Sequence, residues 1–339
     1  MLKVGLIGFG GIAKAHRKAY ANLEKLGKAQ LVCAYDIDPE AFDRKIKINI
    51  DDGKADLEEH ITFYTDLDEM LAKEEIDFLD LCVPTFLHSK IASDMLRRGY
   101  HVMCEKPMSL TAADCDEMLQ ASRESGKELM IGQCLRFYPA FDYIKAAIEE
   151  NRYGKVLGGF FCRLSAPPIW GWENWFMSPE RSGGCITDLH IHDVDIIRYL
   201  FGEPQAISCR TSSSVCIHDT VHTAFFYDGA PITAIGDWTL TGTKFCADCR
   251  VEFEQATVAY EGGVLTVYPK DGSENKVIPL EKISGYQGEL DYFCDVVTGS
   301  IKNEKNPATS AATTIRLIER MRRSADNGGE TLPFAATLK

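Results

Sequence analysis

The chain has 339 residues, is 45% hydrophobic and 26% charged, and carries a formal net charge of −13. That length suits two domains with a cleft between them, and the composition excludes extensive disorder or a fibrous protein. The acidic balance, with no compensating basic run, excludes non-specific nucleic-acid binding, and no stretch reaches the ~18 to 20 apolar residues of a membrane helix. "MLKVGLIGFGG" goes straight into a strand with no signal-peptide pattern, so the expected location is cytoplasmic.

In chain order, "KVGLIG" reads as a strand, Gly11 to Leu26 as a helix, and "QLVCAYD" as a strand. The lysine- and acid-rich segment from Ala41 to His60 reads as a surface helix and loop. Then follow the strand "ITFYTD", a helix from Leu67 to Lys73, the strand "DFLDLCVP", a helix from Leu87 to Arg98 and the strand "YHVMCEKP". "TAADCDEMLQASRESG" opens on a Thr-x-x-Asp capping box and closes on Gly126, before the strand "ELMIGQ". Strands that are continuous apolar runs mark a parallel sheet covered on both faces, which predicts a doubly wound α/β domain over residues 1–134.

From about Pro139 the pattern changes. One helix, "AFDYIKAAIEENRYG", is followed by strand-like runs joined by Asp-Gly and Gly-Gly turns, and the chain closes with helices at Gly288 to Thr298 and Ala308 to Asp326. This predicts an α+β domain over 135–339, with a large, mostly antiparallel open sheet that binds substrate and mediates oligomerisation. Most of the twelve cysteines are isolated in apolar segments and read as reduced core residues. The single C-x-x-C, Cys246 and Cys249, lies in a strand-like stretch where positions i and i+3 point to opposite faces, so neither zinc nor redox chemistry is expected of it.

"GFGGIA", comprising Gly8, Phe9, Gly10, Gly11, Ile12 and Ala13, fits G-x-G-x-x-A between the first strand and the first helix. Gly8 permits a tight turn, Gly10 lets a pyrophosphate approach the backbone, and Ala13 allows close packing over a helix N-terminus. The second strand ends on Asp36, whose carboxylate is placed for a ribose 2′-hydroxyl and would repel a 2′-phosphate. NAD(H) is therefore favoured over NADP(H). "EKP", Glu105 to Pro107, falls at the carboxyl end of a strand, where doubly wound sheets bind ligands, so Lys106 reads as positioned rather than solvated.

The stretch "GGCITDLHIHDVDIIRYLFG", Gly183 to Gly202, gathers Asp188, His190, His192, Asp193 and Asp195. As one helix turning ~100° per residue, it puts Asp188, His192, Asp195 and Tyr199 on one face and His190 with the apolar side. The two histidines then cannot chelate one ion, and no metal is expected. Asp188 and His192, at i and i+4, fit an acid–base dyad in which the carboxylate orients the imidazole and raises its pKa. They fit equally a polar helix face that meets water or satisfies buried neighbours.

"GFGGIAKAH", "CVPTFLHSKIASDMLRRGYHVMCEKPMSLTAAD", "RFYPAFDYIK" and "GGCITDLHIHDVDIIRYLFGEP" together resemble the Gfo/Idh/MocA family, the glucose-fructose oxidoreductase and inositol dehydrogenase relatives, over nearly the whole chain. The resemblance implies NAD(P)-dependent oxidation or reduction of a polyol, sugar or related hydroxyl compound. It implies that Lys106 contacts cofactor and substrate, that Pro84 and His88 belong to a loop along the cofactor, and that Arg136 lies near cofactor or substrate. It maps the family's catalytic D-x-x-x-H onto Asp188 and His192. His192 would take the hydroxyl proton while Lys106 hydrogen-bonds the oxygen and Asp188 positions the imidazole or a neighbouring hydroxyl. Assembly as a homodimer or homotetramer through the second sheet is expected.

Two departures stand out. His190 occupies a place where relatives usually carry a small residue, and Phe176 follows Trp175 where many carry Trp-Arg, with Arg181 a candidate substitute. Trp170, Trp172 and Trp175 either stack on a sugar face or pack a loop. Two alternative functions stay open: glycoside cleavage with a retained NAD, and ligand sensing without turnover.

Overall fold

The computed structural model describes residues 1–43 and 61–334, so most of the surface segment expected from Ala41 to His60 lies outside the described residues. The first unit runs β1 (Leu2–Ile7), α1 (Ala13–Lys25), β2 (Ala29–Tyr35), β3 (Thr62–Tyr64), α2 (Leu67–Lys73), β4 (Phe78–Leu81), α3 (His88–Arg97), β5 (His101–Cys104), α4 (Ala112–Ser125) and β6 (Leu129–Ile131). Its six strands lie in the order β3-β2-β1-β4-β5-β6, every pair parallel. The order reverses between β1 and β4, which opens the crevice where such sheets bind ligands. Apolar strands demand cover on both faces, and all four residues of β4 are buried. The Thr111 hydroxyl accepts from the Asp114 N–H at 3.1 Å to start α4, and Gly126 ends it at φ 66°.

The second unit runs α5 (Pro139–Glu149), β7 (Val156–Leu164), α6 (Pro179–Ser182), α7 (Cys185–Asp188), α8 (Ile191–Phe201), β8 (Ala206–Ser212), β9 (Thr220–Phe226), β10 (Pro231–Asp237), β11 (Cys246–Phe253), β12 (Ala256–Glu261), β13 (Val264–Pro269), β14 (Lys276–Ile278), α9 (Gly285–Val297), α10 (Ala308–Asp326) and β15 (Leu332–Pro333). Nine strands form one sheet, β14-β13-β12-β11-β7-β10-β9-β8-β15, antiparallel except for the β7–β10 pair. Alternate residues of β9, such as Val221 and Phe225, are buried under helices, while Phe226 on the other face is exposed. The strand β15 was not legible in the sequence. At two residues it carries no periodicity of its own and exists by pairing with β8.

Sequence order places α9 in the second domain, but it packs on the first. Leu290, Phe293, Cys294 and Val296 share a hydrophobic cluster with Leu6, Tyr20 and Phe78, and the Phe78 and Phe293 rings meet edge to face at 5.2 Å. Asn22 of α1 donates to Gln287 at 2.9 Å, and Lys28 pairs with Asp291. The apolar stripe of α9 needs a partner, and burying each large side chain stabilises by ~1.5 to 3 kcal/mol. The outer face of α1 supplies that partner, so the expected boundary at 134/135 divides the chain but not the core.

Candidate active site

A cleft of about 1380 Å³ runs from the glycine turn to the second sheet. Gly8 has φ +93°, and a Cβ there would come within 2.6 Å of the Cys82 carbonyl oxygen, so only glycine lets the turn sit against the end of β4. A Cβ on Gly10 would meet nothing within 4 Å. That space is the cradle a pyrophosphate requires, and α1 begins beside it with no side-chain cap and no acidic residue in its first turn. Gly8 through Ile12, Asp36, Pro84, Glu105 and Lys106 all line the cleft. Asp36 accepts from the Phe9 N–H at 2.7 Å and from the Asp38 N–H at 2.9 Å, so the same carboxylate shapes the glycine turn. These residues fit a dinucleotide.

The loop carrying Lys106 is anchored from beneath. His16, on α1, reaches Asp80 Oδ2 through Nδ1 at 2.7 Å and Glu105 Oε1 through Nε2 at 2.9 Å. Burial works against charge on His16, but the Asp80 carboxylate overrides it and raises the imidazole pKa well above the usual histidine value. The result is a buried imidazolium between two carboxylates, with the Tyr20 hydroxyl donating to Asp80 at 2.8 Å. Glu105 also accepts from the Lys106 N–H at 3.0 Å.

The Asp/His stretch is not one helix. Gly183 and Gly184, at φ 72° and 74°, lead into the short α7, and the chain kinks at Leu189 and His190 before α8. At the kink the His192 N–H bonds the Leu189 carbonyl at 3.3 Å, not that of Asp188. The freed Asp188 carbonyl accepts from Lys106 Nζ at 2.9 Å, and Asp188 Oδ1 accepts from the same nitrogen at 3.1 Å. Asp188 thus holds Lys106 across the cleft. The expected Asp188–His192 hydrogen bond is replaced by this pair.

His192 lines the cleft half-buried, and its Nδ1 is buried with no partner among the described residues. Burial, then the Lys106 and Arg163 charges, hold its pKa well below the usual value. The expected rise from Asp188 is therefore reversed, because that carboxylate is spent on a cation. His190 is off the cleft, as its place on the apolar side anticipated. Its Nε2 meets the Thr223 hydroxyl at 3.0 Å, and burial pushes its pKa down to about 3.

Two expected cofactor residues lie elsewhere. Arg136 is buried behind α8, bonded to Asp195 at 2.8 and 2.7 Å and to the Ser310 hydroxyl at 2.8 Å, and is not among the cleft walls. A buried guanidinium requires a carboxylate, and Asp195 on α8 supplies it. His88 is also absent from the walls. Its Nδ1 lies 2.7 Å from the Pro107 carbonyl and its Nε2 2.9 Å from that of Val83, tying the Pro84 loop to the Lys106 loop.

One cleft cation that the sequence reading missed is Arg163 on β7, paired with Asp193 at 3.0 and 3.2 Å. Its signal was a lone arginine inside the apolar run "GGFFCRLSA". Tyr286, at the start of α9, also reaches the cleft. Arg181 lines it with its charge committed to Glu173 at 3.2 Å. Trp170, Trp172 and Trp175 line it too, yet Trp175 stacks on Phe176 at 3.9 Å and Trp170 meets Phe176 edge-on at 4.8 Å, so Phe176 packs the loop.

Fold and cleft together define a two-unit protein of the dinucleotide-binding kind. The chain belongs to the Gfo/Idh/MocA family: residues 2–133 match the oxidoreductase family model with an NAD-binding Rossmann fold, and residues 141–264 match the GFO/IDH/MocA C-terminal domain. Similar proteins include a 2,7-anhydro-N-acetylneuraminate hydratase of Mediterraneibacter gnavus, 33% identical over 41% of this chain and 37% of that one. An inositol 2-dehydrogenase of Rhizobium meliloti is 29% identical over 68% of this chain and 64% of that one. The matches thus span less than two thirds of either relative. Among solved structures, the WlbA dehydrogenase from Bordetella pertussis, in complex with NADH and UDP-GlcNAcA, has a TM-score of 0.79 and 23% identity, covering 98% of this chain and 99% of that one.

Proposed function

We propose that the protein is an NAD(H)-dependent dehydrogenase acting on a secondary hydroxyl or carbonyl of a polyol, sugar or related compound. The observation that carries this reading is that Lys106 and His192 share the cleft with the glycine turn and Asp36. A bound nicotinamide supplies the hydride acceptor, or the donor in reverse. Lys106 has three N–H donors and gives two to Asp188, which leaves the third for a substrate oxygen. His192 is a neutral base, since burial opposes its charge. With Nδ1 buried, Nε2 is the nitrogen that meets the cleft and takes the hydroxyl proton. As that proton leaves, Lys106 stabilises the negative charge that develops on oxygen. Asp188 acts through Lys106, fixing where that charge is met.

Screening polyols, sugars and sugar acids for NADH formation tests the reading. A substrate turned over with one NADH per product supports it, and tight sugar binding with no turnover by any candidate points instead to a ligand sensor. The hydratase relative favours one second reading, in which NAD is retained and the net reaction is redox-neutral. Product formed without net NADH would establish that alternative. The face of the second sheet on which Phe160 and Phe226 are exposed supports assembly into a homodimer or homotetramer, which light scattering on the eluting protein measures.

A further inference from the structure

We propose that Cys162, Cys246 and Asp248 form a three-ligand site for a soft divalent cation of the zinc class at the rim of the cleft. It is separate from Lys106 and His192 and does not rest on the hydride-transfer reading. On the antiparallel strands β7 and β11, Cys162 lies directly opposite Asp248, and Cys246 is two residues before Asp248 on the same face. The two sulfurs are 3.8 Å apart, Cys246 Sγ is 3.2 Å from Asp248 Oδ2, and the three donor atoms lie within 4.8 Å of one another.

Those separations match a coordination polyhedron. A tetrahedral ion with Zn–S bonds of ~2.3 Å and a Zn–O bond of ~2.0 to 2.2 Å has an S···S edge of ~3.8 Å and an S···O edge of ~3.5 Å. The donors are also held from behind. Asp248 Oδ1 accepts from the Gly262 N–H at 2.9 Å, which turns Oδ2 toward the sulfurs. Thiolate and carboxylate donors together suit a borderline-soft ion more than magnesium or calcium.

Binding is not a redox step. The ion forms bonds to two sulfurs and one oxygen, both thiol protons pass to solvent, and the occupied site carries one net negative charge. Cys246 and Asp248 are themselves walls of the cleft, so the fourth position takes water or a ligand oxygen from that side. Cys249 completes the C-x-x-C spacing but faces the core at 2% exposure and is no ligand.

The test uses the full chain, stripped with a chelator, kept reduced and titrated with cobalt(II). The expected result is one equivalent bound, with thiolate-to-cobalt charge-transfer bands and the intense visible bands of a tetrahedral ion, both displaced by zinc. Cys162→Ser and Cys246→Ser each lose at least about half of the charge-transfer intensity, one thiolate of two, and Cys249→Ser keeps it. Asp248→Asn retains both sulfurs, so it shows the carboxylate's part through weakened cobalt affinity even where a cysteine variant folds poorly. Wild-type protein that takes up no cobalt while reduced overturns the proposal. So does a Cys246→Ser variant with unchanged spectra, or a Cys249→Ser variant that loses them.

Discussion

Replacing Asp36 by asparagine should collapse a preference for NAD(H) over NADP(H) while sparing the glycine turn. In the wild type a 2′-phosphate would meet the Asp36 carboxylate at a contact distance of ~4 Å. Each charge pair then costs ~1 kcal/mol under water-like screening and ~4 kcal/mol at an effective dielectric of 20. Asp36 stands half-buried at an open cleft, so the lower figure applies, and a phosphate bearing ~1.5 to 2 charges is disfavoured by about 2 kcal/mol. That corresponds to ~30-fold in the ratio of kcat/KM values. Asparagine removes the charge and keeps an oxygen for the Phe9 N–H while giving up the Asp38 bond, so the ratio should fall by about that factor even where both cofactors bind somewhat more weakly. Alanine also loses the bonds from Phe9 and Asp38, each worth ~1.5 to 3 kcal/mol to a charged acceptor, and should weaken both cofactors. Steady-state kinetics with each cofactor decides it. A wild type that favours NADP(H), or an Asp36→Asn variant with an unaltered ratio, refutes the reasoning.

Lys106→Ala should lower kcat by ~10²-fold or more, as loss of an oxyanion donor does, with NAD affinity by fluorescence changed far less. His192→Ala should lower kcat by ~10²- to 10⁴-fold. Because the His192 pKa is depressed, the wild-type kcat/KM profile should show no histidine limb near pH 6.5; its acid limb should lie well below that and vanish in the variant. His190 has a folded pKa of about 3, so between that value and an unfolded value of 6.5 the unfolded chain binds a proton that the folded chain refuses. Stability should therefore fall on acidification through this window by up to about 1.4 kcal/mol per pH unit, and His190→Gln should flatten that slope in urea denaturation. Arg136→Met should destabilise by up to ~3 to 5 kcal/mol by taking the two-bond partner from buried Asp195, which the Thr314 hydroxyl at 2.9 Å and Arg198 at 4.0 Å only partly replace, while the folded fraction binds NAD as wild type does.

What was legible in the sequence followed from local periodicity and turn chemistry. The glycine turn, Asp36 at the end of β2 and the Lys106 loop at the end of β5 were placed by strand ends alone. What failed depended on long-range pairing. Arg136 and Arg163 look alike in sequence, and only the fold sends one behind α8 to Asp195 and sets the other in the cleft wall, held by Asp193. Helical spacing put Asp188 beside His192, but the kink frees the Asp188 carbonyl and turns the residue to Lys106. His16 lay within the quoted "GFGGIAKAH", yet its bonds to Asp80 and Glu105 join residues 64 and 89 positions away.

The docking of α9 against α1 bears on how the chain is made. The first unit's core is completed by Leu290 and Phe293, residues synthesised long after α1 and β4 have left the ribosome. Until then the nascent first unit presents an unfilled apolar groove beside Phe78 and Tyr20, a surface for chaperones or for premature self-association. Residues 1–134 expressed alone would keep that groove open, so they are a poor choice for an isolated cofactor-binding fragment. A fragment that adds back 285–297 through a short linker restores the cover that this groove lacks.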